Sequence, residues 1–241
     1  MILALLTAMA FADGPRPSLT IGARTPPLGA GLIGDLMWDV SDDASVGAGL
    51  GVYFYWYEPS AKFRAQVLDG FLVFGGSAGV EPGWFRGPDR DSTRRVFSVR
   101  PLGRASMELN LRNDLFWLYN RNTGYARYRT RGEYDPFRDQ SFTEGAELGG
   151  EESFALMVSP SGAAERKVWL YGEVTLEGAT QVGFVDKRLR TGVILEKLTP
   201  AISIDLDLSY SFMDTRVGGP GALFVLWWAP PRPEKETPDM L

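Results

Sequence analysis

The amino-acid sequence predicts an all-β fold, an antiparallel up-and-down transmembrane β-barrel of about ten strands, with eight or twelve as the alternatives. Three observations predict it. Apolar and polar residues alternate with period 2 over stretches of 12 to 16 residues, longer than the roughly 5–6 residues of an ordinary strand. Beyond the N-terminus, no apolar run reaches the roughly 18 residues that a spanning helix needs. Glycine is abundant (28 residues) and 12% of the chain is aromatic, a composition suited to many strands and turns.

Residues 1–12 read as a secretory signal peptide. Ile2 to Ala12 is a short apolar run, and Ala10-Phe11-Ala12 is an A-x-A-like cleavage site. Residues 13–27 follow as an N-terminal segment, within which 18–25 is a candidate extra strand. The barrel is expected over 28–229. From Leu28 to Val40, Leu28, Leu32, Leu36, Trp38 and Val40 alternate with Asp35 and Asp39; from Val46 to Trp56, Val46, Leu50, Val52, Phe54 and Trp56 alternate with glycines and tyrosines. Between Arg104 and Tyr119, Met107, Leu109, Leu111, Leu115 and Trp117 oppose Arg104, Glu108, Arg112 and Asp114. Between Ala201 and Phe212, Ile202, Ile204, Leu206, Leu208 and Tyr210 oppose Ser203, Asp205, Asp207 and Ser209. A helix would scatter those charges around its circumference, whereas a strand separates the two classes onto opposite faces.

Further strands are expected at 62–76, 95–100, 152–159, 166–178, 184–198 and 221–229. The connections 79–94 and 120–151 are then long and fall on one side. Those at Glu58–Ala61, Pro101–Gly103, Pro160–Glu165 and Thr199-Pro200 are short and fall on the other, the loop asymmetry of outer-membrane barrels. Segment 120–151 is rich in arginine and aromatics, among them Arg121, Tyr125, Arg127, Arg129 and Tyr134. It reads as a surface loop, as a constriction folded into the lumen, or as a hairpin extended above the membrane. The tail 230–241, Pro-rich and charged, is expected to be disordered.

Composition narrows the chemistry. The net charge of −5, with both signs mixed along the chain, gives no electrostatic reason for a nucleic-acid partner. With no cysteine and no histidine, disulfides, thiolate sites and the commonest metal ligand are absent; no metal set and no cofactor is expected. The polar faces carry charge in mid-strand, so Arg104, Glu108, Arg112, Asp114, Glu173, Glu177, Arg188, Arg190, Asp205 and Asp207 are expected to line the lumen. If the strands around 179–183 form a hairpin, Glu173 falls near Arg188 or Arg190 and pairs with it across strands. Trp38, Trp56, Trp117, Tyr119, Tyr210, Trp227 and Trp228 lie near strand ends, where membrane barrels carry interfacial aromatic girdles.

With these features the chain resembles the small outer-membrane β-barrel proteins of Gram-negative bacteria. The resemblance rests on pattern over 1–12 and about 28–229, not on a specific motif. It implies export through the periplasm to the outer membrane, contact with outer-membrane lipid and lipopolysaccharide, and recognition by the outer-membrane assembly machinery. Ala222 to Trp228 looks like the aromatic last strand which that machinery reads, although 13 residues follow it. Barrel enzymes of this class, such as phospholipases, omptin-like proteases and lipid A-modifying acyl enzymes, resemble one another in using a histidine. With none here, the expectation is a non-enzymatic barrel, a narrow pore or a structural or ligand-binding barrel with a small solute as its candidate passenger. The alternatives are a soluble periplasmic β-barrel that holds an apolar ligand, and a hydrolase built on the Asp205/Asp207 pair.

Overall fold

The computed structural model describes residues 16–24, 31–89, 91, 93–135, 140–161, 167–181, 183–212 and 219–230. The signal peptide expected at 1–12, and the tail apart from Pro230, lie outside them. Fourteen strands follow one another: β1 Pro17–Arg24, β2 Gly31–Asp39, β3 Ala44–Tyr53, β4 Tyr57–Val67, β5 Leu72–Arg86, β6 Arg95–Arg112, β7 Phe116–Arg129, β8 Glu133–Asp135, β9 Gln140–Phe142, β10 Gly145–Val158, β11 Lys167–Ala179, β12 Gly183–Thr199, β13 Ile202–Ser211 and β14 Pro220–Trp228. Among the described residues no helix is long and apolar enough to cross a membrane.

Twelve of these strands close into one antiparallel ring. Each pairs with its chain neighbour, β7 pairs with β10, and β1 pairs with β14 to join the two ends of the barrel domain. The short β8–β9 hairpin stands outside the ring and touches β5 through Arg86 and Tyr134. The ring therefore has twelve strands, one of the expected alternatives, rather than about ten. Pro17–Arg24, within the segment placed ahead of the barrel by the sequence reading, is a full member of it.

The shortfall of two strands comes from β1 and from a hidden reversal within 62–76; a second hidden reversal, within 104–119, is offset in the count by the turn expected at 101–103. Residues 62–76 hold two strands, β4 and β5, joined at Leu68–Phe71. Phe71 N–H donates to the Leu68 carbonyl at 3.0 Å, and Asp69 and Gly70 both have positive φ, 54° and 82°. Asp-Gly fits a turn of this kind because it tolerates that left-handed backbone. Residues 104–119 also hold a reversal, at Asn113–Leu115. There the Asn113 side chain accepts from the N–H groups of Leu115 and Phe116 at 2.8 and 2.7 Å, a local substitute for ladder bonds. A three-residue turn also inverts parity, so Trp117 does not continue the face of Leu111. Conversely, Glu58–Ala61 and Pro101–Gly103 are not turns but lie within β4 and β6.

The two ends of the barrel differ. At one, strands are joined at 40–43, 68–71, 113–115, 159–166 and 200–201, and β1 begins and β14 ends there; this is the turn end. At the other, the loop end, the connection from β7 to β10 spans 130–144 and carries β8–β9, and β5, β6, β7 and β10 run well past the shorter β1 and β2.

Alternation decides which face meets what. On β11, Trp169, Tyr171, Glu173 and Thr175 are buried while Leu170, Val174 and Leu176 are exposed. On β13, Asp205 and Asp207 are buried, whereas Leu206 and Leu208 are 49% and 66% exposed. Charge turned inward and leucine turned outward is the reverse of a soluble sheet, and it matches a wall immersed in hydrocarbon. The soluble alternative is set aside on this ground.

Candidate functional site

The lumen has two unequal flanks. On the flank of β7 and β10 to β13 it is filled. Ala155, Met157, Trp169 and Tyr171 form a buried cluster, with Trp117, Tyr119 and Ile194 packed against it. Trp117 and Trp169 meet edge-on, 5.9 Å between centroids. The Arg112 guanidinium lies 4.7 and 4.9 Å from the centroids of those two rings, within cation–π range, and it also bonds Glu196. The Trp169 indole N–H donates to the same Glu196 carboxylate at 2.8 Å.

Above this cluster lies an ionic group centred on Arg190. Register places Arg190 opposite Glu173 on β11 and Ser209 on β13. Its Nη1 donates to both Glu173 oxygens at 3.2 Å, and its Nη2 donates to Asp207 Oδ2 at 2.5 Å and approaches Asp205 Oδ2 at 4.0 Å. The Tyr171 hydroxyl is shared between Asp205 and Asp207 at 3.1 and 3.2 Å. Thr175 donates to Glu173 at 2.9 Å. One guanidinium thus holds three buried carboxylates together, and the Asp205/Asp207 pair is engaged by that guanidinium and the Tyr171 hydroxyl.

The flank of β2 to β5 is thin. Its inward positions include Gly47, Gly49, Gly51, Gly75, Gly79 and Gly83. Small residues here leave space, and toward the loop end the lumen opens into a cavity of about 750 Å³. Nine arginines and one lysine line it against six carboxylates: Arg24, Lys62, Arg86, Arg95, Arg100, Arg104, Arg121, Arg127, Arg129 and Arg188 face Asp35, Glu58, Glu81, Glu133, Glu151 and Glu177. Eight aromatic rings share the lining, with Tyr53 stacked on Trp56 at 4.6 Å.

The loop ends of β5, β6, β7 and β10 project past the shorter strands and carry a second ionic group. Arg100 bonds Glu81 at 3.0 Å and Glu133 at 3.1 Å. Arg127 bonds Glu81 at 3.0 Å and Glu147 at 3.2 Å, and Arg129 bonds Glu147 at 2.6 Å. Glu133 belongs to β8, so these contacts fasten the β8–β9 hairpin to the barrel. Phe142 of β9 lies over the Arg129 guanidinium at 3.8 Å. Burial pushes the Glu133 carboxyl above its usual range, against the opposing pull of Arg100 and Arg129.

The structure distributes the sequence-predicted residues as follows. Glu173, Arg190, Asp205 and Asp207 meet in one inward group. Arg104 faces inward and bonds Glu58; Glu108 faces inward, 3.9 Å from Arg64; Arg112 sits between two indoles; Glu177 and Arg188 reach the cavity. Asp114 departs from the expectation, lying in the turn after β6 and bonding Lys167 at 2.5 Å. Of the aromatics, Trp38, Tyr210 and Trp228 are on the outside near strand ends. Trp56, Trp117, Tyr119 and Trp227 are not; they point inward, Trp56 from the β3–β4 connection, where it bridges buried Gly83 and lines the cavity, and the others because the parity of their strands is fixed by buried Trp169 and Val225. The sequence reading misses Asp35, Lys62, Glu81, Arg100, Glu133 and Glu147. Only the Arg127/Arg129 alternation signals the outer ionic group. Among the described residues no group of three or more such side chains is arranged to hold a metal ion.

No family model and no curated protein matches the chain. Solved structures do. The β domain of the Bordetella autotransporter BrkA superposes with a TM-score of 0.60 at 11% identity, covering 90% of this chain and 100% of that one. LpxR from Salmonella typhimurium superposes with a TM-score of 0.53 at 11% identity, covering 88% and 99%. The NanC porin superposes with a TM-score of 0.52 at 6% identity, covering 88% and 98%. Barrels of this build include enzymes, LpxR among them, and the expectation of a non-enzymatic chain is thereby overturned. Lack of histidine removes one catalytic group; it does not remove catalysis from this fold. The inward charge, the apolar outer wall and the closed twelve-stranded ring of this chain, with the likeness of its fold to these proteins, make it an integral β-barrel of the bacterial outer membrane.

Proposed function

We propose that the chain is a narrow pore whose outer vestibule favours small anionic solutes. One observation carries this reading: ten cationic side chains line the cavity of about 750 Å³ against six carboxylates. A cleft with low-dielectric walls and an excess of one sign focuses its field and concentrates the opposite ion. The path is narrow because the Trp169 and Arg190 groups occupy one flank, leaving passage along the glycine-lined flank. The aromatic lining offers apolar faces to a solute that carries a ring. By the asymmetry of membrane barrels, the turn end faces the periplasm and the loop end faces outward. The basic rim residues Arg86 and Arg95 are then placed to meet lipopolysaccharide phosphates, and β14, with Trp228 on its outer face, is the strand offered to the assembly machinery.

A second reading, a ligand-binding barrel without conductance, is favoured by the ionic fastening of β8–β9 beside the cavity. Planar bilayers with a potassium chloride gradient separate the two. Conductance steps whose reversal potential has the anion-selective sign support the pore. Absence of steps together with saturable binding of an anionic probe selects the binding barrel. Cation-selective steps, or neither steps nor binding, overturn the proposal.

A further inference from the structure

On the outer wall one place departs from the apolar rule. The outward residues of β7 include Asn120 and Asn122, and those of β10 include Gly150 and Glu152. Register sets Asn122 opposite Glu152. Asn122 Nδ2 donates to Asn120 Oδ1 at 2.8 Å; Asn120 Nδ2 donates to the Ser153 carbonyl at 3.3 Å and approaches Glu152 Oε1 at 3.5 Å. Glu152 is exposed. On its own strand it is bracketed by Leu148 toward the loop end and by Phe154 and Leu156 toward the turn end, all exposed. Six positions separate it from Val158 at the turn end. At about 2.5 Å of height per tilted residue, that places Glu152 about 15 Å into an apolar band about 25 Å tall.

A carboxylate turned toward hydrocarbon at that depth is costly, and lipid tails supply no donors for its oxygens. Around the trio the wall is low. Gly103 and Ala105 on β6, Gly124 and Ala126 on β7, and Gly150 on β10 share the outward face. A Cβ added at Gly103 or Gly124 would meet nothing within 4 Å.

We propose that this patch is the face through which two copies of the chain pair within the membrane. Small residues let two walls approach closely, and polar groups then bond across the contact. A two-fold axis along the membrane normal keeps both patches at one depth, so the asparagine amides of each copy donate to Glu152 of the other. Such a contact uses the same surface twice. That suits a patch which is the one mid-height site on the wall, among the described outward residues, where a carboxylate and carboxamides stand together.

The chain has no cysteine, so single-cysteine variants report the contact cleanly. In liposomes, Asn122→Cys is expected to form a disulfide-linked dimer on mild oxidation, while Leu206→Cys, on another part of the wall, stays monomeric. Glu152→Leu is expected to weaken pairing about tenfold in a dilution series over lipid. It keeps the heat-modifiable gel migration of a folded barrel, which separates lost pairing from lost folding. Equal cross-linking at positions 122 and 206, a wild-type chain monomeric at every protein-to-lipid ratio, or unchanged pairing in folded Glu152→Leu overturns the proposal.

Discussion

Asp35 and Lys62 meet at 2.5 Å although a whole strand lies between them. They sit on β2 and β4 and reach each other across Gly49 of β3. A Cβ on Gly49 would lie 2.5 Å from Asp35 Oδ1 and 2.5 Å from Lys62 Cε, so the pair exists because position 49 is empty. Gly49→Val is expected to separate the pair and to lower stability by about 1–3 kcal/mol, the usual cost of overpacking a filled site. Guanidinium unfolding of the vesicle-folded barrel, followed by tryptophan fluorescence, measures it; an unchanged midpoint would show that the flank has slack.

Arg190 holds Glu173, Asp205 and Asp207 in one group. Arg190→Met leaves three buried carboxylates facing one another, and a loss of about 3–5 kcal/mol is expected. Adding Asp205→Asn and Asp207→Asn should recover much of it, because neutral amides do not repel. A triple variant no more stable than Arg190→Met alone contradicts the electrostatic account.

The β8–β9 hairpin is tied down through Arg100 and Glu133 at 3.1 Å, but the two partners are not equivalent. Arg100→Met leaves buried Glu81 to Arg127 alone and buried Glu133 to Arg129 alone, at 3.7 Å, so cleavage within 130–144 under limited proteolysis should rise. Glu133 has a raised pKa in the folded chain. Its linked contribution is therefore complete below the ordinary value of 4.5 and fades as pH climbs through the shifted value. Hairpin protection is expected to strengthen as pH falls toward that ordinary value. Glu133→Gln, fixed in the neutral form, is expected to retain protection at neutral pH and to flatten the pH dependence. A glutamine variant that is cleaved as fast as Arg100→Met would refute this.

Leu206 and Asp207 are chain neighbours on opposite faces. Leu206→Arg places a charge near the middle of the lipid-facing band, and a cost of about 2–4 kcal/mol in folding into vesicles is expected. The same substitution at Ser203, inward and near the turn end, should cost much less.

The barrel class is legible wherever a strand keeps its parity over its full length, as 201–212 does with Ile204, Asp205, Leu206 and Asp207. It fails where a reversal is compact. The Asp69-Gly70 pair is a hairpin signal in plain view, hidden because apolar residues flank it closely on both sides. At Asn113–Leu115 three residues suffice to reverse the chain with no visible break in the sequence alternation, which is why Trp117 and Tyr119 read as outward. The Arg190 group is half legible: period 2 puts Glu173, Arg190 and Asp207 on polar faces, but only register brings them within reach. The outer ionic group is the least legible part. Glu81, Arg100 and Glu147 lie on extensions of strands beyond the membrane band, where alternation is no longer enforced by lipid and glycine-rich sequence resembles a loop.

The bond between β1 and β14 ties the earliest strand of the barrel to the latest. While the closing strand is missing, two rows of backbone N–H and C=O groups stand open, and hydrocarbon offers them nothing. Stepwise insertion, strand by strand as synthesis proceeds, would expose those rows throughout. The polypeptide must therefore be kept unpaired until its final strand has been delivered. A chain cut short by even one strand has every reason to aggregate edge to edge.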